Sequence, residues 1–139
     1  MSTDVTTTAL AVASALHAGF QLVVTLVVYP ALAETNDRDW APRHAAHSRR
    51  IAPVVVLVYG ALVASSVAAL LADRRPPMIW TAIAAAVVAM VVTAVVAAPT
   101  HGKLGRGRDG QLVHRLLVWD RLRCAAAVVG AAAAFTATW

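Results

Sequence analysis

Four long apolar stretches, separated by short polar connections, make up most of the chain. The first three cover residues 8–30, 51–72 and 78–98, and the fourth has a purely apolar part from 125 to 139 and a predicted span of 114–138. Their apolar residues run continuously and lack the two-residue alternation of a membrane-spanning strand. A helix needs about 20 residues to cross about 30 Å of hydrocarbon, and the fourth stretch reaches this length only if its helix begins near Leu112 or Leu116. The pattern predicts an all-α protein, an integral membrane four-helix bundle that forms one transmembrane domain over residues 1–139.

The composition agrees with a membrane protein. Residues of the class AVILMFWYC make up 60% of the chain and charged residues 14%, against about 45–50% and about 25% in soluble domains. These values exclude a disordered chain, a coiled coil, a disulfide scaffold and most soluble enzymes. The net charge of +5 lacks the basic helix or aromatic platform that accompanies nucleic-acid binding. The expected partners are therefore the lipid bilayer and a hydrophobic small molecule, with no nucleic acid.

The basic residues between the stretches predict the orientation. The first connection carries Arg38, Arg43, Arg49 and Arg50, and the third connection with the start of the fourth stretch carries Lys103, Arg106, Arg108, Arg115, Arg121 and Arg123. The second connection carries only Arg74 and Arg75. By the positive-inside rule, connections one and three are cytoplasmic and both termini are extracytoplasmic, in a bacterial cytoplasmic membrane. The first stretch is not expected to be a cleaved signal peptide, because residues 1–8 contain Asp4 and no Lys or Arg.

Small residues recur at helical spacing inside three of the stretches. They are Gly60, Ala64 and Ala68, then Ala82, Ala86 and Ala89, and finally Gly130 and Ala134. Small side chains at such spacing allow the backbones of membrane helices to approach closely. The bundle is therefore expected to be compact.

Four of the five histidines fall on the predicted cytoplasmic side: His44, His47, His101 and His114. If the second helix begins early, His44 and His47 share one face and can chelate a metal, with His101 or His114 completing the ligand shell. Contact with lipid headgroups and a role in acid–base chemistry or anion binding are the other interpretations. No metal, haem or other cofactor is predicted.

The fifth histidine belongs to a polar stripe of the first helix. Ser14, His17, Gln21 and Thr25 follow one another at steps of three and four residues. Polar groups at this depth are costly unless they face the bundle interior or a cavity, so the stripe either lines a pocket or joins helices by hydrogen bonds. His17 is expected to lie more than about 20 Å from His47 along the membrane normal by the helical rise, which argues against a haem shared by His17 with His44 or His47.

The start of the fourth stretch and the connection before it hold further candidates. Asp120 and Arg123 are three residues apart and are expected to pair, or Arg123 grips an anionic oxygen of a ligand. The connection at residues 99–110 contains four glycines, which suits either a flexible basic lid or an ordinary membrane-surface loop.

Four short segments of the chain together carry a resemblance to a known protein family. They are His17–Phe20 with Val28–Leu32, Trp40 with His44 and Ser48–Pro53, Pro99–Leu104, and Trp119–Arg123. Together they resemble the small four-span membrane proteins grouped as DUF1772, which include anthrone oxygenase-like proteins. That family often has Asn at the positions of His101 and Asp120. The resemblance implies a four-helix bundle that oxidises or otherwise modifies a hydrophobic aromatic polyketide. It is compatible with a reaction that does not require a metal.

The leading hypothesis is a membrane-embedded enzyme whose pocket opens on the cytoplasmic face and takes an aromatic or polyketide-like molecule. A histidine would act as general base, because imidazole titrates near neutral pH. Arg50, Arg121 or Arg123 would stabilise the resulting phenolate or enolate, with which O2 could react without a cofactor. The expected catalytic residues are His101, His47, Arg123 and Asp120, and the expected substrate-binding residues are His17, Gln21, Tyr29, Arg50 and Arg121.

Two other function classes stay open. The first is a non-enzymatic membrane subunit or transporter component, in which the polar stripe would join helices by hydrogen bonds. A homo-oligomer is compatible with any of these functions. The second is a metal or haem redox protein, whose ligands would be His44, His47, His101 and His114.

Overall fold

A computed structural model, which describes residues 5–73 and 75–139, contains four long helices. They are α1 (Val5–Ala33), α2 (Asp37–Leu71), α3 (Pro77–Leu104) and α4 (Gly110–Thr136). The described residues form helices and short connections without a strand, which confirms the all-α prediction. Asp4 and Arg74, both used above, lie outside the described residues.

Three of these helices, α1, α2 and α3, are long and apolar enough to cross a membrane. The 27 residues of α4 would also suffice in length, but charged side chains interrupt its apolar sequence. The helices extend beyond the predicted stretches because their polar ends are helical too. Thus α2 begins at Asp37 and not at residue 51, with the side chain of Asn36 accepting a hydrogen bond from the backbone N–H of Asp39 as N-cap.

Wide helical turns occur in α1 and α3, each shortly before a proline. The π-helical turn Val24–Val28 precedes Pro30, and the π-helical turn Thr93–Ala97 precedes Pro99. Proline lacks an N–H and clashes with the carbonyl group four residues earlier, and in both helices that carbonyl lies within the wide turn. We attribute the wide turns to these prolines. Both helices continue past their prolines, to Ala33 and Leu104, beyond the apolar stretches that end at residues 30 and 98.

The third connection is shorter and better anchored than a flexible lid. Helix α3 continues to Leu104, which leaves only residues 105–109 as the connection to α4. Arg108 pairs with Asp37 at 3.3 Å, donates to the carbonyl oxygen of Ala33 at 3.2 Å, and lies over the ring of Trp40. The expectation of a mobile lid over residues 99–110 is therefore wrong, because a helix and these contacts hold the segment.

The helices pack with α4 along α3 and α1, and with α2 mainly along α1. Gly130 of α4 allows the close approach to α3: a Cβ atom there would lie 3.2 Å from the Cβ of Ala85. Gly60 of α2, in contrast, has no neighbour within 4 Å of such an atom. Only the small residues of α3 and α4 therefore form a helix interface, whereas Gly60 and Ala64 face outward.

Two buried apolar clusters fill the bundle. One includes Leu10, Leu62, Ile79 and Ala134, and the other includes Val24, Trp40, Leu104 and Leu116. A set of buried polar side chains occupies helical positions between those clusters.

Candidate functional site

Three of the four predicted cytoplasmic histidines meet between the first part of α2 and the end of α3. Because α2 begins at Asp37, His44 and His47 lie on one helix face, as predicted for an early start. The ring of His101, near the end of α3, lies 5.4 Å from the ring of His44 and 5.6 Å from that of His47, and is stacked on both. His114 is exposed on α4 and stays outside this group.

A chain of hydrogen bonds links these histidines to the bundle interior. Nε2 of His44 lies 3.2 Å from Nδ1 of His101, and Nε2 of His101 lies 3.0 Å from the hydroxyl oxygen of Tyr29. A terminal nitrogen of Arg123 donates to that hydroxyl at 3.4 Å. Because arginine only donates, the tyrosine oxygen accepts there, which leaves its own hydrogen available to Nε2 of His101. In that arrangement His101 carries its hydrogen on Nδ1 and donates it to His44.

The predicted ion pair between Asp120 and Arg123 is formed and is buried. The two residues are 1% and 6% exposed, and Nη2 of Arg123 donates to Oδ1 of Asp120. Asp120 also accepts from Nε2 of Gln21 and from the hydroxyl of Thr25, both at 2.6 Å. The polar stripe of α1 therefore faces the charged pair of α4, and these hydrogen bonds compensate its burial.

Thr93 and Tyr59 complete this array and were missed in the sequence. Thr93 donates to the carbonyl oxygen of Ala89 at 2.8 Å, so its oxygen accepts from Nη1 of Arg123 at 3.1 Å and from Tyr59 at 2.9 Å. The available signal was that Tyr59 and Thr93 are among the few polar residues inside the second and third stretches, together with Ser65, Ser66 and Thr81. Such residues are expected to find partners inside a bundle.

His17 contacts a different part of the network from the other histidines. It is 2% exposed and its ring meets that of Tyr59 edge to face, with ring centroids 4.9 Å apart. Its Nε2 atom, Oε1 of Gln21 and Nε of Arg123 are buried without a hydrogen-bond partner among the described residues. His17 and Gln21 therefore belong to the buried polar interior.

Comparison of the chain with protein-family models, with curated proteins and with solved structures found no match. Among residues 5–73 and 75–139, no group of three or more His, Cys, Asp and Glu side chains is arranged to hold a metal ion. Within the histidine group, His44 and His101 direct nitrogen atoms at each other. What the site can do depends on which of its side chains a small molecule can reach.

An open groove of about 510 Å³ runs between α1 and the first half of α2. It is lined by Phe20, Val27, Val28, Ala31, Leu32, Thr35, Arg43, Ala46, His47, Arg50, Ile51 and Val54. Of the three grouped histidines, only His47 lines this groove. Nε2 of His47 is buried and has no hydrogen-bond partner in the described part of the chain. The ring of His47 therefore borders the groove, with its Nε2 atom buried and the ring of His101 stacked against it.

The remaining predicted site residues separate into two groups. Arg50 lines the groove, together with Arg43, which the sequence did not single out for the site. Arg121 is exposed on α4 and has no hydrogen bond or ion pair with another described residue. Arg123 lines no part of the groove, because its terminal nitrogens bind Asp120, Tyr29 and Thr93.

Proposed function

We propose that the protein is a membrane-embedded enzyme that removes a proton from a hydrophobic aromatic or polyketide-like molecule bound in the groove. His47 is the general base, and Arg50 is the partner of the oxyanion that forms. The observation that carries the proposal is the position of His47, which lines an amphiphilic groove and stacks on a histidine fixed by hydrogen bonds.

His47 fits the role of base better than His101 does. Both ring nitrogens of His101 lie at hydrogen-bond distance from His44 and Tyr29, so neither has a lone pair ready for a substrate proton. No described residue hydrogen-bonds to His47, which lines the groove. Since its Nε2 atom is buried, Nδ1 is the nitrogen left to take a substrate proton. A general base must reach the proton that it abstracts, which favours His47 as the base and His101 as the residue that positions it.

Arg50 takes the oxyanion role that the sequence had shared among three arginines. It follows His47 by three residues on α2, on the same helix face, and it lines the same groove. A positive charge fixed beside the reacting atom stabilises the negative charge that develops there. Arg123 acts differently: it positions Tyr29, which in turn holds His101 against His47.

An enolisable aromatic ketone is the substrate class that suits this arrangement. Loss of a proton from the methylene group of an anthrone gives an enolate, which O2 can oxidise. The overall change, anthrone plus O2 to anthraquinone plus water, balances without a further reductant. The resemblance to anthrone oxygenase-like proteins supports this choice of substrate class.

The proposal includes a position in the membrane. The histidine group lies at the ends of α2 and α3 that adjoin connections one and three, and these connections with the start of α4 carry ten of the basic residues considered for orientation. The positive-inside rule favours this end as the cytoplasmic one. Helix α4 then crosses as a fourth span, with its charged pair neutralised inside the bundle.

The test is aerobic oxidation of anthrone by the purified protein in a neutral detergent. The rate is measured as O2 uptake and as the increase in absorbance of the quinone. We expect His47→Gln to lower the rate about 100-fold or more, the usual contribution of a general base. His114→Gln, which changes an exposed histidine outside the group, is the matched control and is expected to keep the rate. Normal oxidation by His47→Gln would overturn the proposal.

A further inference from the structure

The groove changes from polar to apolar along its length. Helices α1 and α2 are joined by residues 34–36 and pack against each other, so they are antiparallel. Thr35 and Arg43 therefore lie at one end of the groove, and Phe20 and Val54 lie at the other. From Arg43 to Val54 the helical rise is about 16 Å. The groove thus fits an elongated amphiphile with a polar group at one end.

The charge of the groove is positive and uncompensated. Arg43 and Arg50 line it, and no Asp or Glu does. The two arginines with acidic partners in the described residues lie elsewhere, Arg108 on Asp37 and Arg123 on Asp120. A guanidinium without a partner beside an apolar wall favours an anion, and its planar fork matches a carboxylate.

We propose that the molecule bound in the groove is a rigid aromatic or polyketide-like carboxylic acid, whose carboxylate binds Arg43. Arg43 precedes His47 by four residues, which is about 6 Å along the helix. The carboxylate and the carbon that loses a proton are therefore separated by a comparable distance, and the apolar rings lie toward Val28 and Val54. This substrate class rests on the proposed function for the role of His47, while the carboxylate site itself rests on the groove alone.

Arg43 differs from the other arginines near the start of α2 in its surroundings. Arg38 and Arg49 are exposed and do not line the groove, so they are free to meet phospholipid headgroups at the membrane surface. Arg43 is exposed as well, but it borders an apolar recess that one rigid molecule can fill. Its position favours a single small acid as occupant.

Binding of a matched pair of fluorescent probes tests this inference. The probes are anthracene-2-carboxylate and anthracene-2-carboxamide, which share a tricyclic body and differ in charge. Neither has an acidic methylene group, so their binding does not depend on proton transfer. Fluorescence anisotropy is measured with the full-length protein in neutral detergent, for the wild type, Arg43→Gln and Arg49→Gln.

The wild type is expected to bind the carboxylate about tenfold more tightly than the carboxamide, the effect of about one charge-assisted hydrogen bond. Arg43→Gln is expected to abolish this preference and to leave binding of the carboxamide unchanged. Arg49→Gln, with the same loss of charge outside the groove, is expected to keep the preference. The folding control for Arg43→Gln is that the variant keeps the circular dichroism spectrum of the wild type and its affinity for the carboxamide.

Three results would overturn the inference. These are equal binding of the two probes by the wild type, an equal loss of preference in both variants, and displacement of the carboxylate by added anionic phospholipid but not by zwitterionic phospholipid. The last result would assign Arg43 to lipid headgroups. A preference for the carboxylate in a protein that does not oxidise anthrone would contradict the proposed function and leave the carboxylate site standing.

Discussion

Arg123 determines the direction of the hydrogen bonds between the bundle interior and the histidine group. Because a guanidinium can only donate, the oxygen of Tyr29 accepts from Arg123, which leaves the hydroxyl hydrogen available to Nε2 of His101. His101 then donates from Nδ1 to His44, so the hydrogen bonds run through one residue each of α4, α1, α3 and α2. This arrangement favours one tautomer of the imidazole against which His47 stacks.

The tautomer of His101 is a direct consequence that can be measured. We expect the neutral ring to carry its hydrogen on Nδ1, because Nε2 accepts from Tyr29. Nitrogen-15 chemical shifts of labelled histidine in the wild type report the tautomer, and His101→Gln assigns the signal. In Arg123→Met the tyrosine loses the donor that orients it, and we expect the His101 signals to move toward a mixture of tautomers. A hydrogen on Nε2 in the wild type would contradict this account.

Loss of the carboxylate of Asp120 should destabilise the protein. Asp120→Asn leaves the guanidinium of Arg123 buried without its counter-charge, and breaking a buried pair in this way costs about 3–5 kcal/mol. Asp109→Asn is the matched control, because Asp109 is exposed at the N-cap of α4 and asparagine caps equally well. Denaturation in mixed micelles measures both free energies of unfolding, and equal values for the two variants would contradict a buried ion pair.

At the scale of single residues, the sequence allowed part of this network to be predicted. The spacing of Asp120 and Arg123 was sufficient for their pairing, and the stripe with Gln21 and Thr25 indicated a buried face. The partners across helices, Tyr59 and Thr93, depend on the rotation of α2 and α3 about their axes. No local pattern in the chain determines that rotation.

At the scale of the elements, the wide turns of α1 and α3 determine where the site residues point. Tyr29 follows the wide turn of α1, and His101 follows that of α3. A wide turn adds a residue relative to regular α-helix, and one residue corresponds to a rotation of about 100°. The sequence shows the prolines, but the choice between ending and widening a helix depends on the packing around it. That is why the apolar stretches alone do not show where these helices end.

Replacement of Pro30 should separate activity from stability. In Pro30→Ala the helix can return to regular geometry, which rotates Tyr29 away from His101 and Arg123. We expect anthrone oxidation to fall about tenfold or more, since misplacement of about 1 Å can cost about 100-fold, while the free energy of unfolding is unchanged or higher because alanine favours helix.

Pro53→Ala is the control for this change. Pro53 is exposed inside α2, which has no wide turn in its described residues. This variant is expected to keep the oxidation rate. Full activity of Pro30→Ala would show that the wide turn of α1 does not position the site.

At the scale of the whole molecule, the bundle is held by small residues at one interface and by polar side chains between two apolar clusters. The number of helices could be predicted from the apolar stretches, because each is long enough to be a helix in a membrane. Which helices are neighbours could not be predicted from the sequence, since stripes of small residues occur in α2, α3 and α4 alike. Only the contact of Gly130 with Ala85 identifies the closest approach as that between α3 and α4.

A larger side chain at Gly130 should therefore loosen the bundle. Gly130→Val places two further methyl groups against α3, and such overpacking costs about 1–3 kcal/mol. Gly60→Val introduces the same β-branched residue into α2 where nothing lies within 4 Å of a Cβ atom, and it is expected to change stability little. Thermal unfolding in detergent compares the two variants, and a smaller loss for Gly130→Val would contradict the packing described.

Proton abstraction at His47 is the central claim, and it is tested most directly without O2. Exchange of the methylene hydrogens of anthrone for deuterium is followed by mass spectrometry under anaerobic conditions in D2O and neutral detergent. The account predicts that the wild type and His114→Gln accelerate exchange over detergent alone, and that His47→Gln does not. Exchange at the detergent rate in the wild type, or equal acceleration by His47→Gln, would contradict it.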